Sequence, residues 1–186
     1  MTLALHRVFP WDQRAPSGAP FSPDYVPPQQ GSGRFDLADG TVLYLGETPE
    51  HAVGEVLQGF RGRPLRDGAL RRFGHPLALV RIEMPDDVAQ GIVDLDDPAR
   101  LLALSLHPSD VASDDRARTR EIATRLRDGG ATGLRWWSRL TGDWHAVVLF
   151  LSRAPMELLS IGRPEVLTRD HAAVAAACRQ LGIPVD

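Results

Sequence analysis

Residues 33–55 read GRFDLADGTVLYLGETPEHAVGE and join a strand pattern to the start of a helix. The apolar run at 41–45 follows a turn-forming Ala-Asp-Gly triplet and predicts a strand. Thr48 is a typical N-cap, Pro49 suits the first helical position and Glu50 favours the first turn, so we predict a helix that runs to about residue 58. This helix carries Glu55 among apolar neighbours.

The rest of the chain alternates irregularly between strand and helix patterns. Leu3, Leu5, Arg7 and Phe9 share one face of a predicted first strand, and further strands are predicted at 77–82, 92–95, 144–151 and, with a weaker pattern, 156–161. Helices are predicted from Ser113 to about 128 and from 170 to 182. We therefore expect residues 1–186 to form a single α+β domain, a twisted mixed or antiparallel sheet with flanking helices, whose C-terminal strand and helix lie within 156–183.

Composition excludes several classes of protein. With 186 residues, 43% hydrophobic and 24% charged, the chain is long and apolar enough for one globular core. The net charge of -3 gives no general reason to bind nucleic acid, although all 21 basic residues are arginine. Cys178 is the single cysteine, so no intrachain disulfide forms and a buried, inert thiol is expected. No segment reaches transmembrane length, which favours a soluble cytoplasmic protein.

Common catalytic motifs are missing from the sequence. The six histidines show no metal-binding spacing, and there is neither a Walker loop nor a GxGxxG segment, so we expect no metal and no bound cofactor. Ser138 lacks the GxSxG context of a hydrolase nucleophile.

Five polar residues lie where a purely structural explanation fits poorly: Arg7, Arg34, Tyr44, Glu55 and Ser138. Each also has an ordinary interpretation. Arg7 and Glu55 could form an ion pair, Tyr44 could be a core aromatic, Ser138 a turn residue and Arg34 a surface charge. The residue pattern by itself thus predicts an α+β domain, with an anion pocket as one interpretation.

The same residues occur in the order of a known signature. The Gly-Arg-Phe segment with Arg34, the Leu-Tyr-Leu strand with Tyr44, and the helix with Ala52 and Glu55 resemble the core of the RES-domain family, named for its Arg, Glu and Ser residues. Ser138, in GLRWWSRLTGDWHAVVLF, matches the third letter, and the opening His-Arg-Val-Phe resembles the family's first-strand arginine. The resemblance extends over 5–151. The proline-rich loop 10–30 and the bulky pair before Ser138 depart from plain members, and both could reshape access to a pocket.

The resemblance implies a fold related to the ADP-ribosyltransferases and the role of a bacterial toxin that depletes NAD. It also implies a partner, an Xre-like helix-turn-helix antitoxin. Breaking the nicotinamide–ribose bond passes through an oxocarbenium-like state, which a carboxylate stabilises, so we assign Glu55 to that task. Alternatives are an ADP-ribosyltransferase acting on a protein target and a catalytically silent NAD-binding module.

The other signature residues are assigned to contacts with NAD. We expect Arg34 and Arg7 to bind the phosphates or the ribose, since arginine offers paired donors. Tyr44 is expected to stack on nicotinamide. Ser138 is expected to bind the nicotinamide amide or to hold an arginine. Water or inorganic phosphate accepts the ribose, as in a glycohydrolase or a phosphorylase, and the sequence leaves this choice open.

Overall fold

A mixed β-sheet forms the centre of the molecule. The computed structural model describes residues 3–28 and 30–185, and within them nine strands pair in the order β3-β4-β1-β2-β7-β6-β5, with β8 and β9 also paired to β4. The strands are β1 (Leu3–Pro10), β2 (Val42–Gly46), β3 (Arg71–Arg72), β4 (His75–Met84), β5 (Ile92–Asp94), β6 (Gly133–Trp137), β7 (His145–Phe150), β8 (Ser160–Ile161) and β9 (Glu165–Val166). β5 and β6 run parallel, whereas β2 and β7, like β1 and β4, run antiparallel.

Helices flank this sheet: α1 (Pro49–Leu57), α2 (Asp86–Gln90), α3 (Pro98–Ala103), α4 (Pro108–Ala112), α5 (Arg116–Asp128) and α6 (Ala172–Leu181). Short 3-10 turns occur at Gln58–Phe60, Asp67–Leu70 and Met156–Leu158. The predicted α+β fold, a mixed sheet with flanking helices, is confirmed. In the part of the chain that the structure describes, no helix combines the length and the apolar character needed to cross a bilayer.

Side chains alternate between the two faces of the sheet and so divide the core. In β2, Leu43 and Leu45 pack with residues of β1 and β4, whereas Val42 and Tyr44 pack with residues of α5 and β6. Successive side chains of a strand point to opposite faces, which explains this division. Tyr44 consequently lies on the same face of the sheet as Trp136.

Helix α1 begins as the sequence predicts and packs against α6. The Thr48 hydroxyl accepts a hydrogen bond from the backbone N–H of His51, and Pro49 occupies the first turn. Gly54 lies in the helix interior, where glycine ordinarily costs about 0.5–1 kcal/mol relative to alanine. A Cβ there would lie 2.5 Å from the ring of Trp144, so glycine allows the helix to approach this ring closely.

Two predicted elements differ from the structure. The predicted strand at 156–161 is largely wrong, because Met156–Leu158 forms a 3-10 turn after Pro155 and only Ser160–Ile161 pairs with β4. The polar helix begins at Arg116 and is capped by Asp115, which accepts from the N–H of Ala117. Ser113, the predicted cap, accepts from the N–H of Asp115 instead. The closing helix ends at Gly182, as predicted, with φ of 65°.

Helix α2 was not predicted, and neither were the helices α3 and α4. Each spans only five or six residues, which is too short for a helical repeat of apolar residues to be recognised. Both begin with proline directly after a capping side chain, Asp97 in α3 and His107 in α4. That local signal was present in the sequence and could have located their starts.

Candidate active site

A cavity of about 980 Å³ opens beside α1 and β2. This volume lies at the upper end of the roughly 300–1,000 Å³ that is common for small-molecule sites. Four of the five predicted site residues line it, namely Arg7, Arg34, Tyr44 and Glu55. Ser138 is buried directly behind Glu55. The structure thus brings all five predicted residues to one place.

The lining of this cavity is strongly basic. Seven arginines contribute to it: Arg7, Arg34, Arg61, Arg71, Arg72, Arg116 and Arg139. Among the described residues that line the cavity, Glu55 is the single carboxylate. A cavity with many guanidinium groups and one carboxylate suits a ligand that carries several negative charges and one centre of positive charge.

The Glu55 carboxylate is held mainly through one of its two oxygens. Oε1 accepts a hydrogen bond from the hydroxyl of Ser138 at 3.0 Å and lies 3.1 Å from Nε2 of His51. Oε2 accepts from the exposed amide of Gln58 at 3.2 Å. The Glu55 side chain is 45% exposed, so the carboxylate is fixed in place without being buried.

Ser138 connects the end of β6 to this carboxylate. Its N–H donates to the carbonyl of Trp144 at 2.6 Å, and its hydroxyl oxygen accepts from the N–H of Leu140 at 3.1 Å. The hydroxyl proton is therefore available for Glu55. In the structure Ser138 is hydrogen-bonded to the Glu55 carboxylate, and its predicted contact with nicotinamide stays a prediction.

The hydroxyl of Tyr44 is engaged within the protein. It donates to Oδ1 of Asp36 at 2.9 Å and accepts from the N–H of Phe35 at 3.0 Å. Burial and the nearby Asp36 charge raise the pKa of Tyr44, so the phenol stays neutral. The ring lies edge-on to Trp136, with 6.3 Å between centroids. Tyr44 therefore contributes a neutral aromatic ring to the cavity.

Asp36 and Gly33 explain why the Gly-Arg-Phe segment approaches Tyr44 so closely. Asp36 is 3% exposed, and its second oxygen accepts from the N–H of Gly33 at 2.7 Å. A Cβ on Gly33 would lie 2.2 Å from both the Tyr44 hydroxyl and Asp36. The absence of a side chain at residue 33 therefore permits the turn that places Arg34 at the cavity wall.

Arg34 is anchored to the end of α4 and keeps an unpaired donor. Its NH2 group donates to the carbonyls of Val111 and Ser113. Within the described residues, its buried Nε atom has no hydrogen-bond acceptor. Burial, and then the neighbouring charge of Arg139, lower the pKa of Arg34.

Arg7 secures the long loop that follows β1. Its two terminal nitrogens donate to the carbonyls of Pro23 and Tyr25 at 3.1 and 2.8 Å. Burial lowers the pKa of Arg7 to about 10, and the charge of Asp24 opposes this effect. The structure thus shows a loop-fastening contact, and the expected contact of Arg7 with phosphate stays a prediction.

His51 and Asp36 are site residues that the sequence analysis did not identify. His51 precedes Glu55 by one helical turn, a spacing that places both side chains on one helix face and could have indicated the contact. Asp36 follows directly after Arg34 and Phe35. Among residues 3–28 and 30–185, no group of three or more histidine, cysteine or acidic side chains is arranged to hold a metal ion.

The chain resembles a known family and a solved structure. The model of the RES domain matches residues 4–170. The chain belongs to the RES domain family. A search of curated protein sequences finds no match. Among solved structures, this RES domain is similar to a chain in the crystal structure of the M. tuberculosis MbcT–MbcA toxin–antitoxin complex, with 16% identity and a TM-score of 0.63 over 98% of this chain and 90% of the other. At this identity the similarity shows a common fold.

Proposed function

We propose that this RES domain cleaves the bond between nicotinamide and ribose in NAD. The observation that carries the proposal is the position of Glu55, the single carboxylate among the described lining residues, in a cavity with seven arginines and held from behind by Ser138. NAD combines a pyrophosphate with a ribose that becomes positively charged as nicotinamide leaves. Both features match this distribution of charge.

The proposed reaction begins with the departure of nicotinamide as a neutral molecule. The electron pair of the breaking C–N bond leaves with the ring, and positive charge develops on the ribose. The Glu55 carboxylate stabilises that charge through Oε2, because Oε1 is engaged by His51 and Ser138. The carboxylate is already oriented and needs little reorganisation at the moment of reaction.

The cavity supplies contacts for the rest of the substrate in this proposal. Arg34 lines the cavity, and its guanidinium group suits a phosphate or a ribose hydroxyl. The ring of Tyr44 stacks on nicotinamide, since its hydroxyl is engaged by Asp36 and only the ring remains for the substrate. The other arginines of the lining add positive charge for the pyrophosphate.

An acceptor completes the reaction at C1 of the ribose. Water would produce ADP-ribose and a proton, whereas inorganic phosphate would form a C–O bond and produce the 1-phosphate of ADP-ribose. The arginine-rich lining is compatible with either acceptor. No metal or other cofactor takes part in the proposal.

The biological role that we propose is that of a bacterial cytoplasmic toxin neutralised by an antitoxin. The family and the fold shared with a chain of a toxin–antitoxin complex support this role. We propose an Xre-like helix-turn-helix protein as the partner, in a hetero-oligomer that covers the cavity. Growth arrest on expression, relieved by co-expression of the protein encoded by the adjacent gene, would support the role.

Nicotinamide release from NAD tests the proposed activity directly. The purified protein is incubated with NAD, with and without inorganic phosphate, and the products are separated by chromatography. We expect nicotinamide together with either ADP-ribose or its 1-phosphate. ADP-ribose attached to lysate proteins would indicate a transferase instead. Binding of NAD without consumption would overturn the enzymatic proposal.

Glu55→Gln tests the assigned carboxylate. This change keeps the size of the side chain and removes its charge, so nicotinamide release should fall on the order of a hundredfold or more. Glu157→Gln changes an exposed residue that is not part of the described cavity lining; it is the matched control and should keep wild-type activity. Full activity of a folded Glu55→Gln protein would contradict the assignment.

A further inference from the structure

We infer that His51 is a positioning residue, which holds the Glu55 carboxylate through a proton located on its own Nε2 atom. The catalytic consequence of this inference rests on the proposed function. The location of the proton between His51 and Glu55 does not depend on that function. His51 does not line the cavity, and its side chain is fully buried. It therefore acts on the reaction only through Glu55.

The surroundings of the imidazole ring determine where its protons lie. Nδ1 is 2.9 Å from the carbonyl oxygen of His145, and a carbonyl can only accept. Nδ1 therefore carries a proton. Nε2 is 3.1 Å from Oε1 of Glu55, so both ring nitrogens face acceptors. A ring with one proton would direct the lone pair of Nε2 at the carboxylate, which is repulsive.

The second contact of Oε1 favours a charged pair. The hydroxyl of Ser138 also donates to Oε1, as the N–H of Leu140 occupies the hydroxyl oxygen. Because Oε1 accepts from two donors, the ionised form of Glu55 is favoured, with the proton on Nε2 of His51. The buried imidazolium is then paired with the carboxylate, as a buried charge requires.

Packing holds the ring in this orientation. The imidazole stacks on the ring of Trp144, with 5.2 Å between centroids and an interplanar angle of 27°. On another side lies Gly46, where a Cβ would come within 3.2 Å of Nδ1. The ring therefore has little freedom to turn away, and its two hydrogen bonds set the position of Oε1.

The consequence for the reaction is a fixed division between the two oxygens of Glu55. Oε1 is held by two buried donors, whereas Oε2 accepts only from the exposed amide of Gln58 and is assigned to the ribose. Loss of His51 would leave the carboxylate with Ser138 and the exposed amide of Gln58 as its hydrogen-bond donors, so it could rotate. Misplacing a charge that acts in the transition state lowers kcat, while KM, which depends on the arginines and Tyr44, changes little.

Two substitutions separate positioning from simple packing. His51→Leu removes both hydrogen bonds and should lower kcat for nicotinamide release by about ten- to a hundredfold, with KM within about twofold. His51→Gln restores a donor near the position of Nε2 and should recover most of that loss. Val53→Ala removes buried volume from the same helix and should destabilise the fold without changing kcat. Unchanged kcat in folded His51→Leu, or no recovery in His51→Gln, would overturn the inference.

Nitrogen-15 NMR of the imidazole tests the proton without any reliance on activity. In the wild-type protein near neutral pH, both ring nitrogens of His51 should give the signals of protonated nitrogen. In Glu55→Gln, only Nδ1 should remain protonated, because the charge that stabilises the imidazolium is gone. A ring with a single proton in the wild type would overturn the inference. If NAD is not consumed, the proposed function fails, while the NMR signature still supports or overturns the pair.

Discussion

The hydroxyl of Ser138 donates to Oε1 of Glu55 at 3.0 Å, although 83 positions separate the two residues in the chain. Glu55 lies on α1, which follows β2, and Ser138 directly follows β6. In the sheet, β7 pairs with both β2 and β6 and so brings the ends of these strands together. The order of the strands thus assembles the carboxylate and its serine donor.

Ser138→Ala should reduce activity and stability together. The change removes one of the two donors on Oε1, so we expect a kcat for nicotinamide release lower on the order of tenfold. It also leaves the N–H of Leu140 without its acceptor, which should lower the free energy of unfolding by about 1–3 kcal/mol. Initial rates and urea denaturation measure the two effects. Ser160→Ala, at an exposed position, is the control. An unchanged kcat would show that the contact has no catalytic role.

Arg7→Met should release the loop after β1. The substitution keeps an unbranched side chain but removes the guanidinium group, and with it both donors to Pro23 and Tyr25. We expect chymotrypsin to cleave within residues 11–28 at least about tenfold faster, which corresponds to about 1.4 kcal/mol of easier local opening. Arg14→Met changes an exposed arginine of the same loop and should leave the rate as it is. Equal rates in the two variants would mean that Arg7 does not fasten the loop.

Gly54→Ala should destabilise the protein, against the usual helix preference for alanine. The added Cβ would meet the Trp144 ring at 2.5 Å, and crowding of this kind costs about 1–3 kcal/mol. Gly59→Ala is the matched control, since a Cβ there has no atom within 4 Å. The free energies of unfolding of the two variants are compared from their denaturant midpoints, provided that the dependence on denaturant concentration has the same slope in both. Stabilisation in both variants would contradict the close approach of α1 to Trp144.

Cys178 should react with a disulfide reagent only when the protein unfolds. The residue is 2% exposed, and burial raises the pKa of its thiol, which lowers the thiolate fraction near neutral pH. Because the thiolate is the reacting form, the folded protein should react slowly and the denatured protein fully. Absorbance of the released thiol follows both reactions, with Cys178→Ser as the blank. Rapid reaction in the native protein would contradict the buried position.

Local signals predicted those parts of the fold that short-range interactions form. Thr48 and Pro49 start α1 and Gly182 ends α6, because caps and backbone conformations act over a few residues. The prediction of a strand at 156–161 was largely wrong, because strand pairing is not set by interactions over a few residues. Its apolar residues are compatible with either element, and the turn after Pro155 leaves only Ser160–Ile161 to pair with β4.

For the site, the sequence by itself identified Arg7, Arg34, Tyr44, Glu55 and Ser138 through the order of a family signature, but it did not identify His51 and Asp36. Only the tertiary structure decided which groups of the protein each of them contacts. It engages the Tyr44 hydroxyl with Asp36, directs Arg7 to the loop carbonyls and places His51 and Ser138 on one oxygen of Glu55. The physical reason is that hydrogen bonds depend on distances of a few tenths of an ångström between distant segments. Strand order, register and packing set those distances, and local spacing along the chain does not reveal them.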